Sequence, residues 1–101
     1  MIIYSVTVTL DETIEHTWRN YMVERHIPDV MNTGFFRDFS IQKLLEPHPD
    51  EGHVTYNIQY TLDSLDNYRA YRDSAAPALQ NEHNLKFKDR FVAFRTLLEK
   101  L

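Results

Sequence analysis

Residues 1–14 read MIIYSVTVTLDETI, and the change of period within them decides the fold. Ile2, Tyr4, Val6, Val8 and Leu10 fall on one face, and Ile3, Ser5, Thr7 and Thr9 fall on the other. Such alternation, rich in β-branched residues, predicts a strand over Ile2–Leu10. Asp11 is placed to cap a helix, with Glu12 in the first turn where the helix dipole favours an acid. From there Ile14, Trp18, Tyr21, Met22 and Arg25 recur at spacings of three and four, which is one stripe of a helix. Pro28 disfavours helical geometry at the residue before it, so the helix is expected to end or kink near His26. A further short turn, PDVMNTG, would close at Asn32 and Gly34.

Beyond that turn, Phe36–Leu45 reads as a second strand, less regular than the first. Val54–Leu62 reads as a third, with Val54, Tyr56, Ile58, Tyr60 and Leu62 on one side. The turn-forming EPHPDEGH between them makes the pair a hairpin. Asp63 is expected to cap a second helix with a stripe of Leu65, Tyr68, Arg72 and Ala75, which Pro77 divides from a shorter helix ending before Asp89. Phe91–Leu98 is apolar enough for a last strand, although its periodicity also admits a helix. The order β-α-β-β-α-β over residues 1–101 is that of one α+β, ferredoxin-like domain. Right-handed crossovers would lay both helices on one face of a four-stranded antiparallel sheet.

Composition narrows the function classes. At 43% hydrophobic and 26% charged residues, the chain has the make-up of a globular domain. A net charge of −4 without clustered Lys or Arg argues against nucleic acid. The absence of cysteine excludes disulfides and thiolate chemistry and points to the cytoplasm. No stretch reads as a membrane span, because the N-terminus alternates instead of running apolar. Two glycines leave no phosphate cradle, and no metal-ligand spacing occurs, so neither cofactor nor metal is expected. His48 and His53 sit with Glu46, Asp50 and Glu51 in a turn, where a solvated loop is the ordinary reading and nothing fixes ligand geometry. His16 and His83 read as surface residues.

The two sheet faces differ in character. The covered face would set Tyr4, Tyr56 and Tyr60 opposite Trp18, Tyr21 and Tyr68, a layer rich in hydroxyls that each need a partner. The opposite face carries Ser5, Thr7, Thr9, Ser40, Gln42, Thr55, Asn57, Gln59 and Thr61, polar but almost without charge. A solvated sheet face ordinarily takes Lys and Glu, so this one points to a homodimer that packs sheet against sheet.

The stretches MIIYSVTVTLDETI, HIPDVMNTGFF, TYNIQYT and FKDRFVAFRTLLE resemble a bacterial family known as domain of unknown function 4286. By architecture that family is similar to dimeric α+β barrel proteins. Among these are cofactor-independent monooxygenases, EthD-like proteins, muconolactone isomerases and haem-degrading enzymes. The resemblance implies the fold and a dimer, and a small-molecule pocket between sheet and helices; it implies no activity and no site residues.

Candidate residues follow from the residues themselves. His26, at the end of the Trp18–Met22 stripe, is placed either for proton transfer or as a helix-terminal histidine bonded to exposed carbonyls. Arg95 interrupts an apolar strand, so it requires a carboxylate from the protein or an anionic ligand. Tyr4, Trp18, Tyr21, Tyr56 and Tyr60 are either a pocket lining or plain core. The first reading is a ligand-binding or structural dimer without catalysis. The alternative is a cofactor-independent enzyme for an apolar or aromatic substrate, with His26 moving a proton and Arg95 holding an anionic group. A cavity of roughly 300 Å3 with His26 or Arg95 on its wall would favour the enzyme. A closed layer with His26 in solvent would exclude it.

Overall fold

The computed structural model describes residues 1–101. Strand β1 (Ile2–Asp11) leads through a short 3-10 turn into α1 (Glu15–Tyr21), a π segment (Met22–His26) and α2 (Ile27–Asn32). Then follow β2 (Asp38–Lys43), β3 (His53–Leu62), α3 (Leu65–Asp73), α4 (Ala76–Lys86) and β4 (Phe91–Glu99). The four strands form one antiparallel sheet in the order β2-β3-β1-β4. This is the ferredoxin-like arrangement expected from the sequence.

Register follows from alternation. Tyr4 pairs with Tyr60, Val6 with Ile58 and Val8 with Tyr56, so their apolar sides lie together. The helices cover that side, where Leu10, Trp18, Ile27, Ile58 and Leu62 are buried. Asp11 caps as expected, accepting from the Thr13 backbone N–H at 2.9 Å. The second helical run is capped by Ser64 instead of Asp63: its hydroxyl accepts from Asn67 N–H at 3.1 Å. Asp63 is taken up by an ion pair with Arg37.

The helix does not end at His26. The N–H of Ile27 reaches the Met22 carbonyl five residues back, and Pro28 occupies the first turn of α2. The wider turn just ahead of Pro28 relieves the clash its ring would make with the carbonyl four residues back. It also advances the buried stripe by one position. Arg25, expected on the stripe, is exposed, while Ile27 and Val30 are buried. The closing turn is as expected, with Gly34 at φ +82°, the left-handed conformation glycine takes without penalty. The second helical run also differs from its expected form. Its buried residue in α3 is Tyr71, and α4 is the longer helix.

On the open face the register groups Ser5, Thr7 and Thr9 with Gln59, Asn57 and Thr55. Asn57 donates to Ser5 and Thr7, and Thr9 bonds Thr55. The edge strand adds a row the central strands lack: Val92, Phe94 and Leu98 face the same way and are 71%, 61% and 47% exposed. Replacing Ser64 with alanine should lower the unfolding free energy by about 1 kcal/mol in urea titration. Asp63→Ala should cost less, since an exposed pair contributes about 0.2–1 kcal/mol.

Candidate functional site

Four of the residues singled out from the sequence meet in one place. A small cavity of about 30 Å3 lies between the sheet and the helices, with Tyr4, Tyr60, His26 and Arg95 on its wall. Met22, Val30, Val6 and Ile58 supply its apolar lining, and Tyr71 and Gln80 complete it. Strands β1, β3 and β4, the π segment, α2, α3 and α4 all contribute, whereas α1 and β2 do not. Arg95 is the exposed member and marks the opening beside the edge strand.

The phenols of the layer divide by where their hydroxyls go. Tyr56 donates to Glu15 at 2.7 Å, and Tyr21 donates to Glu82 at 3.0 Å. Both carboxylates lie at the rim, so these two rings are buried in body and satisfied at the surface. Burial, reinforced by the Glu15 carboxylate, pushes the Tyr56 phenol up to about 12. Trp18 is fully buried and donates its indole N–H to His83 Nε2 at 2.9 Å. Trp18, Tyr21 and Tyr56 are therefore neighbours of the cavity and do not line it.

The cavity side is different. Tyr4 accepts from Arg95 Nε at 3.0 Å. Tyr60, Tyr71 and the His26 ring have no protein partner. Yet every side-chain polar atom sealed from solvent has a partner, so these atoms reach open space through the cavity. Burial raises the phenols of Tyr4, Tyr60 and Tyr71, which keeps them protonated donors. Arg25, Arg37, Arg69, Arg72 and Arg90 are each paired with a carboxylate; Arg95 is not.

His26 is half-buried with its ring 5.6 Å from that of His83. Burial, the neighbouring His83 and Arg95 together lower it to about 4, against a weaker opposing pull from Glu82. At neutral pH it is an uncharged imidazole. His83, expected at the surface, is buried instead. An indole only donates, so His83 Nε2 is the accepting nitrogen, and the proton sits on Nδ1, 3.2 Å from Asn84 Oδ1. Ala76, Leu79, His83 and Phe87 form a three-and-four stripe that marked this burial in the sequence. Tyr71 was marked likewise, one turn beyond Tyr68.

The volume falls between the two alternatives the sequence posed. His26 and Arg95 are on the wall, but 30 Å3 is room for one or two waters. A larger concavity of about 300 Å3 lies at the end of the sheet, among Asp11, Asp50, His53, Asp89 and Arg90. There Arg90 is already bound to Asp11 and Thr13, and no three acidic or histidine side chains converge as metal ligands would.

One family's sequence pattern matches residues 1–101. The chain belongs to DUF4286, a domain of unknown function. No curated protein matches it in sequence. Solved structures similar to this DUF4286 chain include an EthD-family protein of Bacillus halodurans, at 14% identity and TM-score 0.66, with all of both chains covered. A second is SnoaB, a cofactor-independent oxygenase from Streptomyces nogalater, also at 14% and 0.66, covering 98% of this chain and 92% of that one. A third is a dimeric ferredoxin-like protein from an uncultured marine organism, at 10% and 0.67, covering 100% and 95%. At these identities the likeness establishes the fold. No helix of the chain is long and apolar enough to cross a membrane.

The lowered His26 makes a testable contribution to stability. Its unfolded form binds a proton near pH 6.5 and its native form only near pH 4. Native stability should therefore fall as pH drops across that window, by on the order of 3 kcal/mol for this group. In urea titrations at several pH values, His26→Gln should flatten the slope between pH 6.5 and 4.

Proposed function

We propose that this DUF4286 protein is a homodimer that binds a small aromatic ligand in the cavity under its helices and catalyses nothing itself. The observation that carries this reading is the set of hydroxyls and the imidazole left without partners on one concave wall. Buried polar groups ordinarily find partners within the protein, and those that do not are left for water or a ligand. Three buried tyrosines on the cavity wall, Tyr4, Tyr60 and Tyr71, suit an aromatic guest that carries a polar group. A whole ligand of that class needs roughly 300 Å3, so the cavity takes one end of the ligand and the rest stays at its opening. The cytoplasm is its setting, in keeping with a chain that has no cysteine.

Dimerisation is supported by the open face. An uncharged polar field flanked by exposed Val92, Phe94 and Leu98 is poorly suited to water, and burying each of these side chains contributes about 1.5–3 kcal/mol. Strand β4 is also an edge without lysine or proline to protect it. One similar structure is a dimeric ferredoxin-like protein.

The enzymatic alternative draws on one observation, an uncharged and unpartnered His26 beside Arg95, which suits proton transfer. A cavity about a tenth of the usual size weighs against it.

Two measurements test the proposal. Light scattering at micromolar concentration should give twice 12.1 kDa, and Phe94→Glu should return the mass to 12.1 kDa with the fold intact. A single-chain mass for the wild type removes the dimer. Screening aromatic fragments by NMR should move the His26, Tyr60 and Tyr71 resonances at millimolar concentration. No response there from any fragment removes the ligand.

A further inference from the structure

We propose that the cavity receives the carboxylate of a small aromatic acid, held by the Arg95 guanidinium and the Tyr60 and Tyr71 hydroxyls. The inference deepens the ligand-binding reading above and rests on it. Its basis is the inventory of donors and acceptors on the wall. A guanidinium only donates, and phenols held protonated by burial donate readily. Tyr4 accepts from Arg95 and keeps its own hydrogen to give. Tyr60 and Tyr71 are each 2% exposed, and neither hydroxyl has a protein partner. Uncharged His26 and the Gln80 amide each offer both a donor and an acceptor.

Against these donors the cavity wall holds no carboxylate, in a chain whose net charge is −4. Arg95 is thus a half-used cation: Nε is bound to Tyr4, and the terminal nitrogens have no acidic partner. A neutral guest would leave them to water, whereas a carboxylate matches their planar fork with two oxygens. Phosphate is bulkier and carries about two charges, a poor match for 30 Å3 and a single guanidinium.

Volume places the rest of the guest. Thirty cubic ångströms fits a head group and no ring, so the ring lies outward at the opening. Leu97, two residues from Arg95 on the same face of β4, is exposed. It offers apolar surface next to the charge.

The experiment compares sodium benzoate with benzamide, its neutral isostere, on the full chain by NMR titration at fixed ionic strength. Benzoate should move the His26, Tyr60 and Tyr71 resonances and bind about tenfold or more tighter than benzamide. Arg95→Gln should abolish that preference; Arg95 is exposed, and the wild-type comparison decides on its own if the variant fails to fold. Equal or tighter binding of benzamide overturns the anion assignment and leaves the ligand-binding reading in place. A preference that survives Arg95→Gln overturns the role given to Arg95. No cavity response to either compound overturns the aromatic-acid assignment, and the ligand-binding reading then falls only if the wider fragment screen is silent as well.

Discussion

The hydrogen bond from the Trp18 indole to His83 ties the first half of the helical layer to the second. Trp18 lies in α1 and His83 in α4, 65 residues apart, and both are buried. A buried hydrogen bond contributes about 1 kcal/mol net, but removing one partner costs about 1–3 kcal/mol because the other is stranded. The rest of the layer is arranged around that link. Tyr21 and Arg25 bind Glu82, the residue before His83, so the same two helices are joined again at the rim. With α1 fixed against α4, the π segment brings His26 beside His83 and onto the cavity wall. Because the indole claims Nε2, His83 stays uncharged, and its own titration is pushed down by burial.

The hydroxyl-rich layer illustrates how one constraint yields two outcomes. Each buried phenol requires a partner, and distance to the rim decides which it gets. Tyr56 and Tyr21 lie close enough to α1 and α4 for Glu15 and Glu82 to reach them. Tyr4, Tyr60 and Tyr71 pack ring against ring around Phe36 under α3, away from any acid. All three line a shared space, where Tyr4 is met by Arg95 and the hydroxyls of Tyr60 and Tyr71 find no partner in the chain. Plain core and pocket lining, opposed as alternatives from the sequence, coexist in one layer.

How much of this the sequence disclosed follows the strength of each local signal. Strands β1 and β3 alternate without interruption, so their faces, their register and the polar open face were legible residue by residue. Strand β4 has apolar residues on both sides, and period alone does not show which face Phe94 or Arg95 takes. The π segment was hidden because Pro28 reads equally as a helix stop and as a first-turn proline. The choice between them depends on a turn that widens for tertiary reasons. Ser64 and Asp63 are both good caps, and only the competition of Arg37 for Asp63 separates them. His83 was misjudged from its polar neighbours, though the stripe it belongs to was visible. His26, Arg95, Tyr4 and Tyr60 lie far apart in sequence, and only the sheet order brings them to one wall.

Strand β4 connects the two halves of the functional reading. Alternation sends Arg95 and Leu97 to the helix side and Phe94, Thr96 and Leu98 to the open face, so consecutive residues face the cavity layer and the proposed dimer surface in turn. An edge strand hydrogen-bonded on one side only is the part of a sheet freest to shift. A second copy packed on Phe94 and Leu98 would fix the backbone that carries Arg95, and with it the position of the guanidinium at the opening. Conversely, an anion that orders Arg95 would stiffen the face on which a second copy is proposed to pack. Linkage requires such coupling to be reciprocal: whatever factor dimerisation adds to ligand affinity, the ligand adds to dimerisation. One residue of spacing separates the proposed binding group from the proposed interface group, so under that proposal a change at either would be felt at the other.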